Sequence, residues 1–163
     1  LRKLLPVLAA LSVIGTASAD DVTRVPLPAG VNFPIAAAVE IPPGKTLVYV
    51  SGTGAAVSDP TKPARSTASY GDTETQTISA LTAISNQLGR IGLQIGDVVQ
   101  MRAYLVADRT KNNTLDFDGF MRGYTRFFGT KAQPKLPARS AFQVAALVNP
   151  GWLVEIEVTA VRP

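Results

Sequence analysis

Three residues near the end of this 163-residue chain can do chemistry, and their spacing says where they stand. Leu136-Pro137-Ala138-Arg139-Ser140 leads into one alternating stretch, and Leu153-Val154-Glu155-Ile156-Glu157-Val158 forms another. Arg139, Glu155 and Glu157 are therefore expected on strands, within reach of one another. A partly buried guanidinium without a partner loses its hydration, so an arginine on a strand calls for a carboxylate or phosphate to meet its planar fork. The segment reads as an anion site. The two acids are two residues apart and share one strand face, while Val154, Ile156 and Val158 share the other. For Glu157 alone, a solvated strand face is the preferred reading.

Composition narrows the chemistry further. The chain has no histidine and no cysteine, which excludes Ser-His-Asp and Cys-His machinery, disulfides, and the usual zinc, haem and copper ligand sets. No metal and no other cofactor is expected. Reactions must run on carboxylates, Arg, Lys, Tyr, Ser or Thr, and backbone groups.

The elements that position these residues can be read along the chain. Arg2 and Lys3, the apolar run from Leu4 to Ile14 and Ala17-Ser18-Ala19 before Asp20 have the layout of a secretory signal peptide, expected over residues 1–19. The run is well short of the roughly 20 residues that cross a bilayer. Removing it takes away Arg2 and Lys3, and 14 basic against 12 acidic residues leave a charge of +2 in place of +4. A periplasmic protein with one domain over residues 20–163 is the expectation.

A Pro- and Gly-rich stretch from Val22 to Asn32 precedes a strand over Thr46 to Val50, which runs into the glycine turn Ser51-Gly52-Thr53-Gly54. Asp72 stands where an N-cap belongs, and Ile78, Leu81, Ile84, Leu88 and Ile91 recur at helical spacing up to Gly89–Gly92. Val99, Met101, Ala103 and Leu105 alternate as a second strand. Phe117, Phe120, Met121, Tyr124, Phe127 and Phe128 form a wide apolar stripe, read as a second helix packing on a sheet and ending at Gly129. Strands over Ser140 to Ala146 and Leu153 to Val161 are expected to form an antiparallel hairpin across Val148-Asn149-Pro150-Gly151. The order describes an α+β domain with both helices on one face of a mixed sheet, whose other face is expected to be covered by further subunits.

Four stretches, in order, resemble the Rid family, also called the YjgF or L-PSP endoribonuclease-like family. They are Tyr49-Val50-Ser51-Gly52; Gly92-Leu93-Gln94-Ile95-Gly96-Asp97-Val98-Val99; Tyr124-Thr125-Arg126-Phe127-Phe128; and Pro137-Ala138-Arg139-Ser140 with Val154-Glu155-Ile156-Glu157-Val158. The resemblance implies a chorismate-mutase-like fold, a homotrimer with three clefts between subunits, and enamine/imine deaminase activity of the 2-iminobutanoate/2-iminopropanoate type. Reactive imino acids would be hydrolysed to 2-keto acids and ammonia. By the same resemblance Arg139 clamps the substrate carboxylate, Glu155 holds or activates the attacking water, and Ser51, Gly52 and Ala141 line the pocket. The family tyrosine that follows a Gly-Pro pair is missing from Phe33-Pro34-Ile35-Ala36-Ala37-Ala38. Met121 stands in place of an asparagine, and Ala141 where a cysteine is common. These departures imply a more apolar, more open pocket.

Other readings stay beside this one. Arg139 could serve an intersubunit salt bridge to Glu155 or Glu157, and the protein could be a non-catalytic trimeric binder of small carboxylates or a protective protein. Ser51 to Gly54 matches no nucleotide fingerprint and reads as a plain turn. Nucleic acid is an unlikely partner, because Arg122, Arg126, Lys131 and Lys135 form no dense basic run. No membrane partner is expected.

Overall fold

The structure, a computed structural model, describes residues 21–163. The expected signal peptide lies outside the described residues. No described helix is long and apolar enough to cross a membrane.

The chain begins with two short strands, β1 (Thr23–Val25) and β2 (Ala38–Glu40), paired antiparallel. Strand β3 (Leu47–Gly54) is followed by a single helical turn, α1 (Thr67–Tyr70), and the long helix α2 (Thr73–Arg90). Then come β4 (Val98–Val106), helix α3 (Phe117–Tyr124), β5 (Ala138–Val144) and β6 (Val154–Val161). The last four strands of this series make one mixed sheet in the order β3-β6-β4-β5, with β4 and β5 parallel and the other pairs antiparallel. Helices α2 and α3 pack on one face of it and on each other. This is the expected α+β architecture.

The sequence explains the helices well. Asp72 accepts a hydrogen bond from the Thr75 amide at 2.9 Å and so satisfies a donor that the first turn of α2 leaves orphaned. Ala80, Leu81, Ile84 and Leu88 are fully buried on the sheet side. At the other end the amide of Leu93 bonds back to Leu88, while Gly92 takes a φ of +75°. Helix α3 is shorter than its apolar stripe, since regular helix stops at Tyr124. The chain then closes through Phe127 and Phe128 amides that both reach the Tyr124 carbonyl. Phe128 is still buried, so the stripe marks core contact beyond the helix itself.

The expected hairpin does not form. Strand β4 lies between β5 and β6, pairing with both. The connection from β4 through α3 to β5 is a crossover that brings β5 back parallel, and residues 145–153 then carry the chain past the end of β4. The Asn-Pro-Gly turn is real, with Asn149 accepting from the Gly151 amide at 3.0 Å, but it docks on α1 and α2 instead of closing a two-strand ribbon. The Asn149 side chain donates to the Tyr70 hydroxyl at 2.7 Å. Buried Gln76 on α2 donates to the Gly151 carbonyl at 3.1 Å and accepts from the Leu153 amide at 2.8 Å. Two helical residues therefore fix where β6 starts, and with it the register of Glu155.

Strand β3 is also longer than expected, because a bulge carries it through its glycines. Val50 pairs with Val158 and Thr53 with Ile156, so Ser51 and Gly52 together oppose the single residue Glu157.

Helices α2 and α3 approach closely at Gly123, where an added Cβ would come within 2.7 Å of the Thr77 Cβ and 3.1 Å of the Glu74 carbonyl. Gly123→Ala should therefore lower stability by about 1–3 kcal/mol through overpacking, although alanine is the better helix former. Urea unfolding checks this, and a stabilised variant would show that the contact can relax.

Candidate functional site

Arg139 projects from β5, one of the two edge strands of the sheet, on the helix-covered face. Its register partner is Met101, which is fully buried and in turn pairs with Val158. The guanidinium carbon stands over four aromatic rings, at 4.3 Å from the centroid of Tyr124, 5.1 Å from Phe120, 5.2 Å from Phe33 and 5.9 Å from Phe117. Its Nη1 donates to the Met121 sulfur at 3.3 Å. Burial lowers the guanidinium's pKa, an effect that the Tyr124 hydroxyl opposes. The ion pairs among the described residues are Arg102–Glu157, Arg122–Glu74 and Arg126–Glu74, and Arg139 belongs to none of them. A half-buried cation has been given ring faces and a thioether, with no anion beside it among the described residues.

The cage is assembled from distant parts of the sequence. Phe117, Phe120, Met121 and Tyr124 come from α3, where a spacing of three or four residues puts them on one side. Phe33 comes from the segment before β2, held by the Tyr124 hydroxyl, which donates to the Pro34 carbonyl at 2.8 Å, and by the Ala36 amide, which donates to the Pro137 carbonyl at 3.0 Å. Arg24 on β1 ties the same region down. Its guanidinium donates to the carbonyls of Leu136 at 2.6 Å, Val98 at 2.9 Å and Gly96 at 3.0 Å.

The acids are elsewhere. Strand alternation puts Glu155 and Glu157 on the face that the helices leave open, level with Tyr104 and Arg102 of β4. The expectation that Arg139 and these acids are within reach of one another is thus corrected for a single chain. Arg139 shares its side of the sheet with Met101 and Val158, and a side-chain period of two sends Glu155 and Glu157 the other way. Ala141, two residues beyond Arg139 and paired with Ala103, lies on the arginine's side. Ser51 and Gly52 lie on the acids' side. The Glu155 carboxylate sits against the Gly52 Cα so closely that a Cβ there would overlap its Oε1. The bulge thus makes a seat for Glu155 that any larger residue would fill.

The two glutamates differ in their partners. Glu157 accepts from Arg102 at 2.7 Å and from the Tyr104 hydroxyl at 3.1 Å, and the Arg102 hydrogen bond holds its carboxyl below the usual range. Glu155 forms no salt bridge among the described residues. Glu157 is therefore engaged within its own sheet, whereas Glu155 has no such partner among the described residues. No group of three or more His, Cys, Asp or Glu that could hold a metal ion occurs among the described residues.

Sequence reasoning missed Phe33 and Tyr124 as neighbours of Arg139. The aromatic stripe was the available signal, and it serves both the core and the cage.

Comparison with known proteins adds to this geometry. The residue pattern of the family described as Endoribonuclease L-PSP matches residues 33–162. A member of the YjgF/YER057c/UK114 family from Mycobacterium tuberculosis is similar at 31% identity, with 87% of this chain and 100% of that one covered and a TM-score of 0.52. TdcF from E. coli, solved with bound serine, is similar at 26% identity over 86% of this chain and 94% of its own, with a TM-score of 0.56. The Rid-family protein YyfB from Yersinia pestis, of unknown function, shares the fold at 23% identity over 85% of this chain and 98% of its own, with a TM-score of 0.62.

Tyr124 makes the cage testable through pH. Burial pushes its hydroxyl up to about 12 from the ordinary value of 10.0. With the folded value raised, the stability contributed by the neutral phenol is fully present below about pH 10 and is lost as pH rises from there through about 12, some 2–3 kcal/mol in all. Tyr124→Phe should abolish this alkaline loss while costing about 1 kcal/mol at neutral pH for the bond to Pro34. Urea unfolding at pH 8 and pH 11 reads both; equal alkaline losses in the two proteins would contradict the assignment.

Proposed function

We propose that this chain, which belongs to the Endoribonuclease L-PSP (YjgF/Rid) family, is an enamine/imine deaminase whose site is completed by a second copy of itself. The observation that carries the proposal is the Arg139 guanidinium, half-buried among ring faces and without an acid beside it among the described residues. Ring faces offset part of its charge but leave most of its N–H groups without an acceptor. The carboxylate of a 2-imino acid would supply two acceptors in the geometry the fork prefers.

Held that way, the substrate offers its C=N carbon to water. Glu155 takes one proton from the attacking water as the C–O bond forms and passes it to nitrogen; it then takes the second from the new hydroxyl as the C=O bond forms and the C–N bond breaks, and this proton goes to the leaving nitrogen. Ammonia leaves and a 2-keto acid remains. No redox partner is needed.

Within one chain Arg139 and Glu155 face opposite ways, so Glu155, with Ser51 and Gly52 of the bulge, must be contributed by a neighbouring copy. A homotrimer with three such clefts satisfies this. The open face supports self-association, since Tyr49 is 77% exposed there and Phe142 48%. Serine bound to TdcF is an α-amino acid, which supports amino-acid-derived carboxylates as the ligand class. Export to the periplasm belongs to the same proposal, on the reading of residues 1–19.

A second reading, a carboxylate-binding protein without turnover, is favoured by one feature. Met121 presents a sulfur to Arg139 where the family's deaminases have an amide. Cleavage of RNA gains little support despite the family's description. The chain has no histidine, and Arg122 and Arg126 are both bound to Glu74 at 2.7 Å instead of forming a free basic patch.

Keto-acid release from freshly generated imino acids tests the proposal. Arg139→Ala should lower kcat/KM about 100-fold or more, the loss of a bidentate charged pair, and Arg139→Lys should recover little of it. Glu155→Gln should depress kcat with less effect on KM. A fully active Arg139→Ala protein would sink the proposal, whereas carboxylate binding without any turnover by the unaltered protein would select the second reading.

A further inference from the structure

Phe33 does more than cover the arginine. It stacks on Phe117, with ring centroids 6.3 Å apart and planes 15° from parallel, and 37% of it remains exposed. It also lines a groove of about 310 Å³ whose walls include Leu27, Val31, Ile35 and Leu136 together with Arg24 and Lys135. Phe33 is thus common to the guanidinium's cage and to a groove of mixed apolar and basic lining next to it. Met121, which accepts from the fork beside the rings, is a polarizable thioether that adapts to apolar shapes.

We infer that the acid taken by Arg139 carries a branched or aromatic apolar substituent, seated against Phe33; the inference rests on Arg139 being a carboxylate anchor. A carboxylate on the fork leaves its α-substituent beside the guanidinium, where Phe33, Phe117 and Met121 offer no strong hydrogen-bonding group. A methyl substituent would leave the exposed part of Phe33 wet. An isobutyl or benzyl group covers it and removes its own surface from water, and burial of that size separates ligands by an order of magnitude or more. A hydroxymethyl substituent would surrender water and gain only a weak sulfur acceptor.

Stable 2-keto acids serve as probes: pyruvate, 4-methyl-2-oxopentanoate and phenylpyruvate, titrated calorimetrically into the unaltered protein, Phe33→Ala, Phe33→Leu and Arg139→Ala. Affinity should rise along that series by about tenfold or more. The ratio between phenylpyruvate and pyruvate should fall toward one in Phe33→Ala and be largely kept in Phe33→Leu. All three should lose binding in Arg139→Ala. Equal affinities, or pyruvate binding best, would overturn the inference while leaving the anchor intact. Binding that survives Arg139→Ala, or no binding of any acid to the unaltered protein, would overturn the anchor and the inference together.

Discussion

Arg139 keeps its charge where burial disfavours it, and the surrounding aromatic rings make that tolerable without making it neutral. A cation over a ring face gains about 0.5–2 kcal/mol, depending on how dry the site is, whereas taking an ion out of water costs several kcal/mol. Four rings bring these amounts close, but they satisfy the charge and not the directional N–H groups. What remains is a demand for an acceptor that the described residues do not meet. The rest of the site follows from it: an edge strand that leaves the fork approachable, a helix that supplies three of the rings, and an N-terminal segment that brings the fourth.

Placing the acid opposite is a matter of strand periodicity. The same alternation that buries Val154, Ile156 and Val158 sends Glu155 to the other side of the sheet from Arg139. One sheet therefore carries both halves of the proposed site and keeps them apart. Gln76 fixes the start of β6 and with it the face Glu155 takes, and the bulge at Ser51 and Gly52 leaves room for its carboxylate. On the proposed reading, such a chain uses the two halves together only across a contact with another copy.

Much of the fold was legible because it rests on local signals. Asp72, the Ile78–Leu88 periodicity and Gly92 mark α2 from end to end, and the alternation from Val99 to Leu105 marks β4. The β5–β6 hairpin was misread because Asn149-Pro150-Gly151 has strong turn chemistry whether or not the flanking strands pair, and only the tertiary placement of β4 between them decides the matter. Strand β1 was passed over because three residues carry no period. In the site, the types of Arg139 and Glu155 pointed to anion chemistry, and the alternation of β6 was recognised. Their mutual orientation was not legible, since it depends on the register of β4 against both neighbours. The cage around Arg139 was hidden for a simpler reason: Phe117, Phe120 and Tyr124 have the spacing that any core-facing helix shows, and Phe33 sits about a hundred residues away in sequence.

The central claim is that Arg139 of one chain works with Glu155 of another. Arg139→Ala and Glu155→Gln proteins, each inactive alone, can be unfolded together, refolded as an equal mixture and shown by mass spectrometry to have formed mixed assemblies. Random assembly gives each cleft an intact arginine and an intact glutamate about one time in four, so roughly a quarter of the original imine-hydrolysing activity should return. Mixed assemblies that stay inactive would contradict a site shared between chains.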